Sequence, residues 1–274
     1  MIWNSNLLRP LRTRRRPRRV VYTCMFGYSE AFNDFVYDRP EGVDFICFTD
    51  DAGLRSAFWT IRHVNRGLLD PARASKQFKA LAHRFLPEYD WSLYVDNTLR
   101  LTAGPEEVFG FLADSESPLA CFRHPQRNCV YDEAERVLAM GLDDPDRVRA
   151  QMRFYRQIGY PSQNGLIKGA FILRRHHEPS LIGVMEQWHQ QVLCYSKRDQ
   201  LSLNPVMWFA GFQPRYLSDH FHESRLADWP VVQNGIRVPR DFDEGRYLEL
   251  NPDVTMDARR HYLLQGAIER RRYK

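Results

Sequence analysis

Asp96 closes an apolar run, WSLYV at residues 91–95, and is followed by Asn97 and Thr98. A carboxylate at the carboxyl end of a buried strand stands where open α/β sheets bind ligands. Its oxygens suit a hard cation such as Mg²⁺ or Mn²⁺, and the competing reading is a turn or cap residue. Upstream, Lys76, Lys79 and His83 recur at i, i+3 and i+7, which puts them on one face of a helix. Such a face can offer cations to a diphosphate or can simply meet solvent. Residues 122–128 bring His124, Arg127 and Asn128 together after another apolar run, and the acidic stretch 131–135 reads as a helix start favoured by the dipole. Arg198, Asp199 and Gln200 precede an apolar segment. Asp199 reads either as a catalytic carboxylate or as the N-cap of the helix that follows.

These residues need a frame to hold them. Segments 20–26, 44–49, 91–95, 118–123 and 167–174 are apolar, aromatic and β-branched, which predicts buried strands, with 57–64 a further candidate. Residues 71–86 have helical spacing, with Pro71 at the start and Pro87 past the end. Segments 105–113 and 178–194 read as helices. So does 199–209, broken or started near Asn204 and Pro205, and so does 131–157, interrupted at 141–145. Strands and helices alternate, which predicts an α/β domain. No GxGxxG follows the first strand, which disfavours a standard dinucleotide site. Residues 214–240 carry Pro, Asn and Gly and read as a linker or lid, and 241–274 are polar with two short helices. The expected division is a basic disordered tail over 1–19, the main domain over 20–215, a linker or lid over 216–240, and a small helical module over 241–274.

The chain has 274 residues, enough for one large domain and an appendage. Its net charge of +5 is concentrated at the ends, with seven Arg in residues 9–19 and Arg270, Arg271, Arg272 and Lys274 at the other terminus. A solvated tail is the plain reading of such a run, and the same charge suits peripheral contact with anionic lipid. The middle of the chain lacks the basic surface that nucleic-acid binding requires. Five scattered cysteines with no CxxC pair argue for free thiols in a reducing compartment. No apolar run approaches the roughly 18 residues of a membrane span, and the N-terminus lacks a signal-peptide core. The expected location is the cytoplasm, with the basic ends suited to the inner face of a membrane.

Six groups of residues carry a family resemblance in order: 75–87 (SKQFKALAHRFLP), 92–96 (SLYVD), 124–134 from His124-Pro125 to Glu133-Ala134, then Gln151, Met152 and Tyr155, then Arg174 with His176, and finally 198–202 (RDQLS). Together they resemble the plant and bacterial TOD1/MUCI70-like family, formerly a domain of unknown function. The resemblance implies a GT-A-type domain, a single Rossmann-type mixed sheet flanked by helices. It further implies transfer of a sugar, hexosyl or uronosyl, from a nucleotide-sugar donor such as a UDP-sugar to a polysaccharide or glycoconjugate acceptor. It gives Asp96 as the metal ligand for Mn²⁺ or Mg²⁺, Asp199 as the catalytic carboxylate, and Lys76, Lys79, His83, His124, Arg127, Arg198 and Gln200 as donor-binding residues. GT-A enzymes commonly carry Asp-x-Asp at the strand end, where this chain has Asp-Asn-Thr, and the family commonly has Gly where Asn97 stands. The strings YLELNPDV (247–254) and HYLLQGA (261–267) resemble a helical module appended to bacterial glycosyltransferases. Two alternatives remain: a hydrolase, since one family member has been proposed as a ceramidase, and a non-catalytic sugar-binding protein. A zinc hydrolase would draw on His176, His177, His220 and His222.

Overall fold

Alternate residues of the first strand, β1 (Arg19–Met25), enter opposite cores: Val20, Tyr22 and Cys24 go to one and Val21 to the other. The sheet is therefore covered on both faces. The computed structural model describes residues 16–27, 31–35, 40–217, 220–233 and 235–274. Along the chain follow β2 (Val43–Thr49), β3 (Thr60–His63), β4 (Trp91–Val95), β5 (Arg100–Leu101), β6 (Leu119–Arg123), β7 (Ile167–Arg174) and β8 (Arg215–Tyr216). All but β5 form one sheet in the order β3-β2-β1-β4-β7-β6-β8. Strands β1 to β4 are parallel, whereas β7 runs antiparallel to both β4 and β6. The carboxyl ends of β1 and β4 thus lie side by side. Because β7 is reversed, its first residues reach that same edge, where Asp96 N–H donates to the Ala170 carbonyl at 2.9 Å. This is the mixed α/β sheet that the sequence predicts.

One face is packed by α1 (Pro71–Ala80), α2 (Ala82–Phe85), α6 (Pro179–Cys194) and α7 (Leu203–Phe209), and the other by α3 (Pro105–Gly110) with part of the chain beyond 216. Helices α4 (Val130–Ala139) and α5 (Pro145–Gln157) share a smaller core with Leu201. None of these helices is long and apolar enough to cross a membrane among the described residues.

The single helix expected over 71–86 is two helices, broken at Leu81 with φ −95 and ψ 42. Competing donors explain the break. Tyr22 Oη donates to the carbonyls of Phe78 and Lys79 at 3.3 and 3.0 Å, and buried Arg174 donates to those of Lys79 and Ala80 at 2.8 and 3.2 Å. Those carbonyls would otherwise accept from residues 82–84 in a continuous helix. Tertiary donors take them, and the helix restarts.

The segment expected as a linker or lid is not a free linker. β8 closes one edge of the sheet, and β9 (Ala227–Asp228) pairs with β5. Phe221, Leu226, Val231 and Val232 are buried. β10 (Val232–Gln233) and β11 (Ile236–Arg237) add a short ribbon. Two-residue strands leave no readable period, which is why the sequence resembled a loop. Residues 1–15 of the expected basic tail lie outside the described residues. Its last two residues belong to the fold: Arg18 N–H donates to Asp90 at 2.7 Å, and Arg19 pairs with Glu106 at 2.5 Å.

The C-terminal strings interlock. α8 (Glu244–Leu250) carries Tyr247, which is fully buried and hydrogen-bonded to His261 at 2.8 Å. His261 ends α9 (Ala258–His261), and a π-helical turn brings round Gly266, where a Cβ would lie 2.0 Å from Tyr247 Oη. The module is tied to the main domain by Arg259, which pairs at 2.9 Å with Asp228, itself the partner of Arg100. Gly266→Ala is therefore expected to cost about 2–3 kcal/mol locally through overpacking. Limited proteolysis should cut the variant within 241–274 far sooner than the native chain while leaving the sheet domain intact. Equal resistance would show that the Tyr247 contact yields without cost.

Candidate active site

A cleft of about 340 Å³ opens at the carboxyl ends of β1 and β4, within the range of small-ligand sites. Its walls are Cys24 to Gly27 at and after the end of β1, one side of α1 including Ser75 and Lys76, and Tyr94 with Asp96 to Thr98 on and after β4. Gly27 lets the helix approach: its φ is +70, and a Cβ there would lie 2.8 Å from the Pro71 ring. The start of α1 is fixed by Asp70, whose side chain accepts from Arg73 N–H at 3.0 Å.

Behind the wall lies a compact charge cluster. Lys79 is 1% exposed, and its Nζ is 2.5 Å from Asp199 Oδ2 and 3.5 Å from Asp96 Oδ1. Lys76 Nζ is 3.6 Å from the same Asp199 oxygen. Tyr94 Oη donates to Asp96 Oδ1 at 2.8 Å. Burial would raise both carboxyls, but the lysines outweigh it and hold Asp96 and Asp199 below the usual range. Burial lowers Lys76, with Asp199 only partly restoring it, whereas Lys79 ends above its ordinary value because two carboxylates overcome its burial. Asp96 is about a third exposed and lines the cleft, while Asp199 is almost sealed and is not among the lining residues. Asp199 opens a short 3₁₀ turn, its carbonyl accepting from Trp188 Nε1 at 3.1 Å. Its side chain forms ion pairs with the lysines and does not cap the next helix, which has no side-chain cap bond.

The sequence did not point to Gly169 or Lys168. A Cβ at Gly169 would come within 3.0 Å of Lys79 Nζ and 3.2 Å of Asp199 Oδ2, so the absence of a side chain makes room for the ion pair. Lys168 Nζ lies 3.6 Å from the centroid of the Trp229 ring. A lone lysine beside a glycine in the apolar run IKGAFILR was the available signal. Burial pulls Lys168 down to about 8, with Asp96 only partly restoring it. Between that value and the ~10.4 of an unfolded lysine, the unfolded chain holds more protons, so this group makes stability rise with pH. The stability difference between the native chain and Lys168→Met should shift in that sense over this interval in urea titrations. A difference constant with pH would place the lysine in contact with water.

The remaining predicted residues divide. Arg198 acts electrostatically on Lys76, Asp199 and Lys168, and donates to Gln200 at 3.3 Å, so both lie with the cluster. His83 does not join it. The break at Leu81 turns its ring to Glu186 on α6, at 2.7 Å. His124 is pushed down to about 3 by burial and by the neighbouring Arg127 and Lys168. It is therefore a neutral ring, whose Nδ1 accepts from the N–H of Arg127 at 3.1 Å. Arg127 itself pairs with buried Glu133. Asn97 accepts from Asn33 N–H at 2.7 Å and donates to the Ala31 carbonyl at 2.9 Å, tying the loop after β1 to the end of β4.

The donor set suits a divalent cation poorly. The two carboxylates of the cluster already bind an ammonium, and among the described residues no three His, Cys, Asp or Glu side chains converge. Neither histidine pair is completed into a zinc site among those residues. All five cysteines are unpaired, and four of them are buried.

Three comparisons bear on this arrangement. The model of the TOD1/MUCI70 glycosyltransferase-like domain matches residues 43–223. The chain is 27% identical over 193 residues to an Arabidopsis thaliana protein described as the probable hexosyltransferase MUCI70, with 67% of this chain and 32% of that protein covered. It therefore spans about a third of the length of that relative. The apo structure of the bifunctional glycosyltransferase WbbM aligns over 77% of this chain and 40% of its own, at 9% identity and a TM-score of 0.42.

Proposed function

Because the chain belongs to the TOD1/MUCI70 glycosyltransferase-like family, we propose that it transfers a hexosyl group from a nucleotide-sugar donor to a glycan or glycoconjugate acceptor. The observation that carries this reading is the meeting of Lys76 and Asp96 in one cleft at the carboxyl edge of the sheet. Lys76 meets the donor's diphosphate, with Lys79 adding its field from behind. As the acceptor's hydroxyl oxygen bonds to the anomeric carbon, the bond from that carbon to the diphosphate oxygen breaks, negative charge grows on the departing oxygen, and the acceptor's proton passes to it. Fixed cations stabilise that charge at no reorganisation cost. Asp96 accepts a hydrogen bond from a hydroxyl of the transferred sugar. Asp199 acts as a positioning residue: a carboxylate held below its usual range by two lysines is a weak base, and its work is to hold their ammonium groups in place.

A donor panel tests the proposal. The full chain is incubated with UDP- and GDP-sugars and oligosaccharide acceptors, and nucleotide release and glycan mass are followed. Release that depends on the acceptor is expected with one donor class. Absence of binding to every nucleoside diphosphate and nucleotide sugar, measured by calorimetry, would overturn the reading.

A further inference from the structure

We propose that this cleft neutralises the donor's diphosphate with its own lysines, Lys76 on the wall and Lys79 behind it, and not with a divalent cation. The inference rests on the nucleotide-sugar reading above and departs from the metal-assisted chemistry that the family resemblance implies.

Charge balance is the first support. Within ion-pair distance the cluster holds two ammonium groups, Lys76 and Lys79, and two carboxylates, Asp96 and Asp199. Both carboxylates are already matched by a lysine, and Lys76 presents its charge on the cleft wall. A site built for a hard cation instead leaves carboxylate oxygens uncompensated to supply the counter-charge.

Access to the carboxylates is the second. A metal on Asp96 would share the carboxyl group with Lys79, 3.5 Å from Oδ1, and with the Tyr94 hydroxyl at 2.8 Å on the same oxygen. Lys79 cannot easily withdraw. It is 1% exposed, is 2.5 Å from Asp199, and is packed against the bare backbone of Gly169. The helix end that carries it is tied by Tyr22 and Arg174. The ammonium therefore occupies the neighbourhood that a second positive centre would need.

Calorimetric titration of the full chain with UDP and with GDP, in EDTA and again in Mn²⁺, separates the two designs. One nucleotide is expected to bind in EDTA within about threefold of its affinity in Mn²⁺. Lys76→Met should weaken binding about tenfold or more in both buffers, the range expected for a lost charge-assisted contact to phosphate. Asp96→Asn supplies the independent check. It removes a negative charge next to the diphosphate, so affinity in EDTA should stay level or rise, whereas loss of a metal ligand would abolish binding. Melting curves confirm that each variant is folded. Tenfold or greater tightening by Mn²⁺ in the native chain, lost in Asp96→Asn, would overturn the proposal and leave the transferase reading standing. Absence of nucleotide binding in either buffer would remove both.

Discussion

Asp199→Asn is expected to cut turnover of the matched donor and acceptor about a hundredfold or more, the scale of a lost electrostatic contribution at a reacting centre. The change is nearly isosteric, and asparagine caps a helix about as well as aspartate, so a capping role alone would leave turnover intact. Here the carboxylate is 2.5 Å from Lys79 and 3.6 Å from Lys76. Without its charge, two ammonium groups face each other across a nearly dry cluster with only Asp96 to divide between them. Removing one partner of a buried pair typically costs about 3–5 kcal/mol, and the remaining carboxylate puts the expectation near the lower end. The pH dependence has a definite sign. The folded-state carboxyl lies below its unfolded value, so its contribution is present above about pH 4 and is lost as pH falls through the folded-state value. Acid titrations in urea should show that loss in the native chain and not in the variant. Full turnover with unchanged stability would remove Asp199 from the site.

Arg174→Met is the second large effect, expected to destabilise the fold by about 3 kcal/mol or more, since it leaves buried carbonyls without their donor. Arg174 is fully buried, and its guanidinium donates to the carbonyls of Lys79 and Ala80 and to Tyr22 Oη. Methionine fills much of the volume but offers no donor, so the Ala80 carbonyl is released and Tyr22 alone still competes for the carbonyls that α1 needs to continue past Leu81. Lys79 would then rotate with the helix, and the variant should lose diphosphate affinity as well as stability. Urea denaturation and nucleotide titration measure the two effects. Stability close to native would mean that the break at Leu81 is maintained by Tyr22 and the packing of α2.

The residues that could be read correctly were those whose signal is local. WSLYV followed by Asp96 declares a strand and its end, and Lys76 and Lys79, three apart, share a helix face whatever surrounds them. His83 failed because nothing between 76 and 83 marks the break at Leu81, neither Gly nor Pro. The cause lies in Tyr22 and Arg174, distant along the chain. Lys168 and Gly169 were missed for a related reason: their relevance comes from the reversal of β7, which brings the start of that strand to the end of β4. Asp199 stood out by its motif, but its exclusion from the cleft lining depends on how the turn after α6 packs against Trp188.

The separation between Lys79 and Asp199 carries a consequence for how the molecule comes into being. A ribosome delivers β1, α1 and β4 well before it delivers residue 199, 120 positions after Lys79. Until then the nascent half-sheet presents two lysines that face its interior with Asp96 as the nearby counter-charge. Contacts so far apart in sequence form late, because the loop between them must close first. The N-terminal half is thus kept from settling early into a finished core, and arrival of the Arg198-Asp199-Gln200 turn supplies the missing counter-charge before α7, β8 and the C-terminal segments are added.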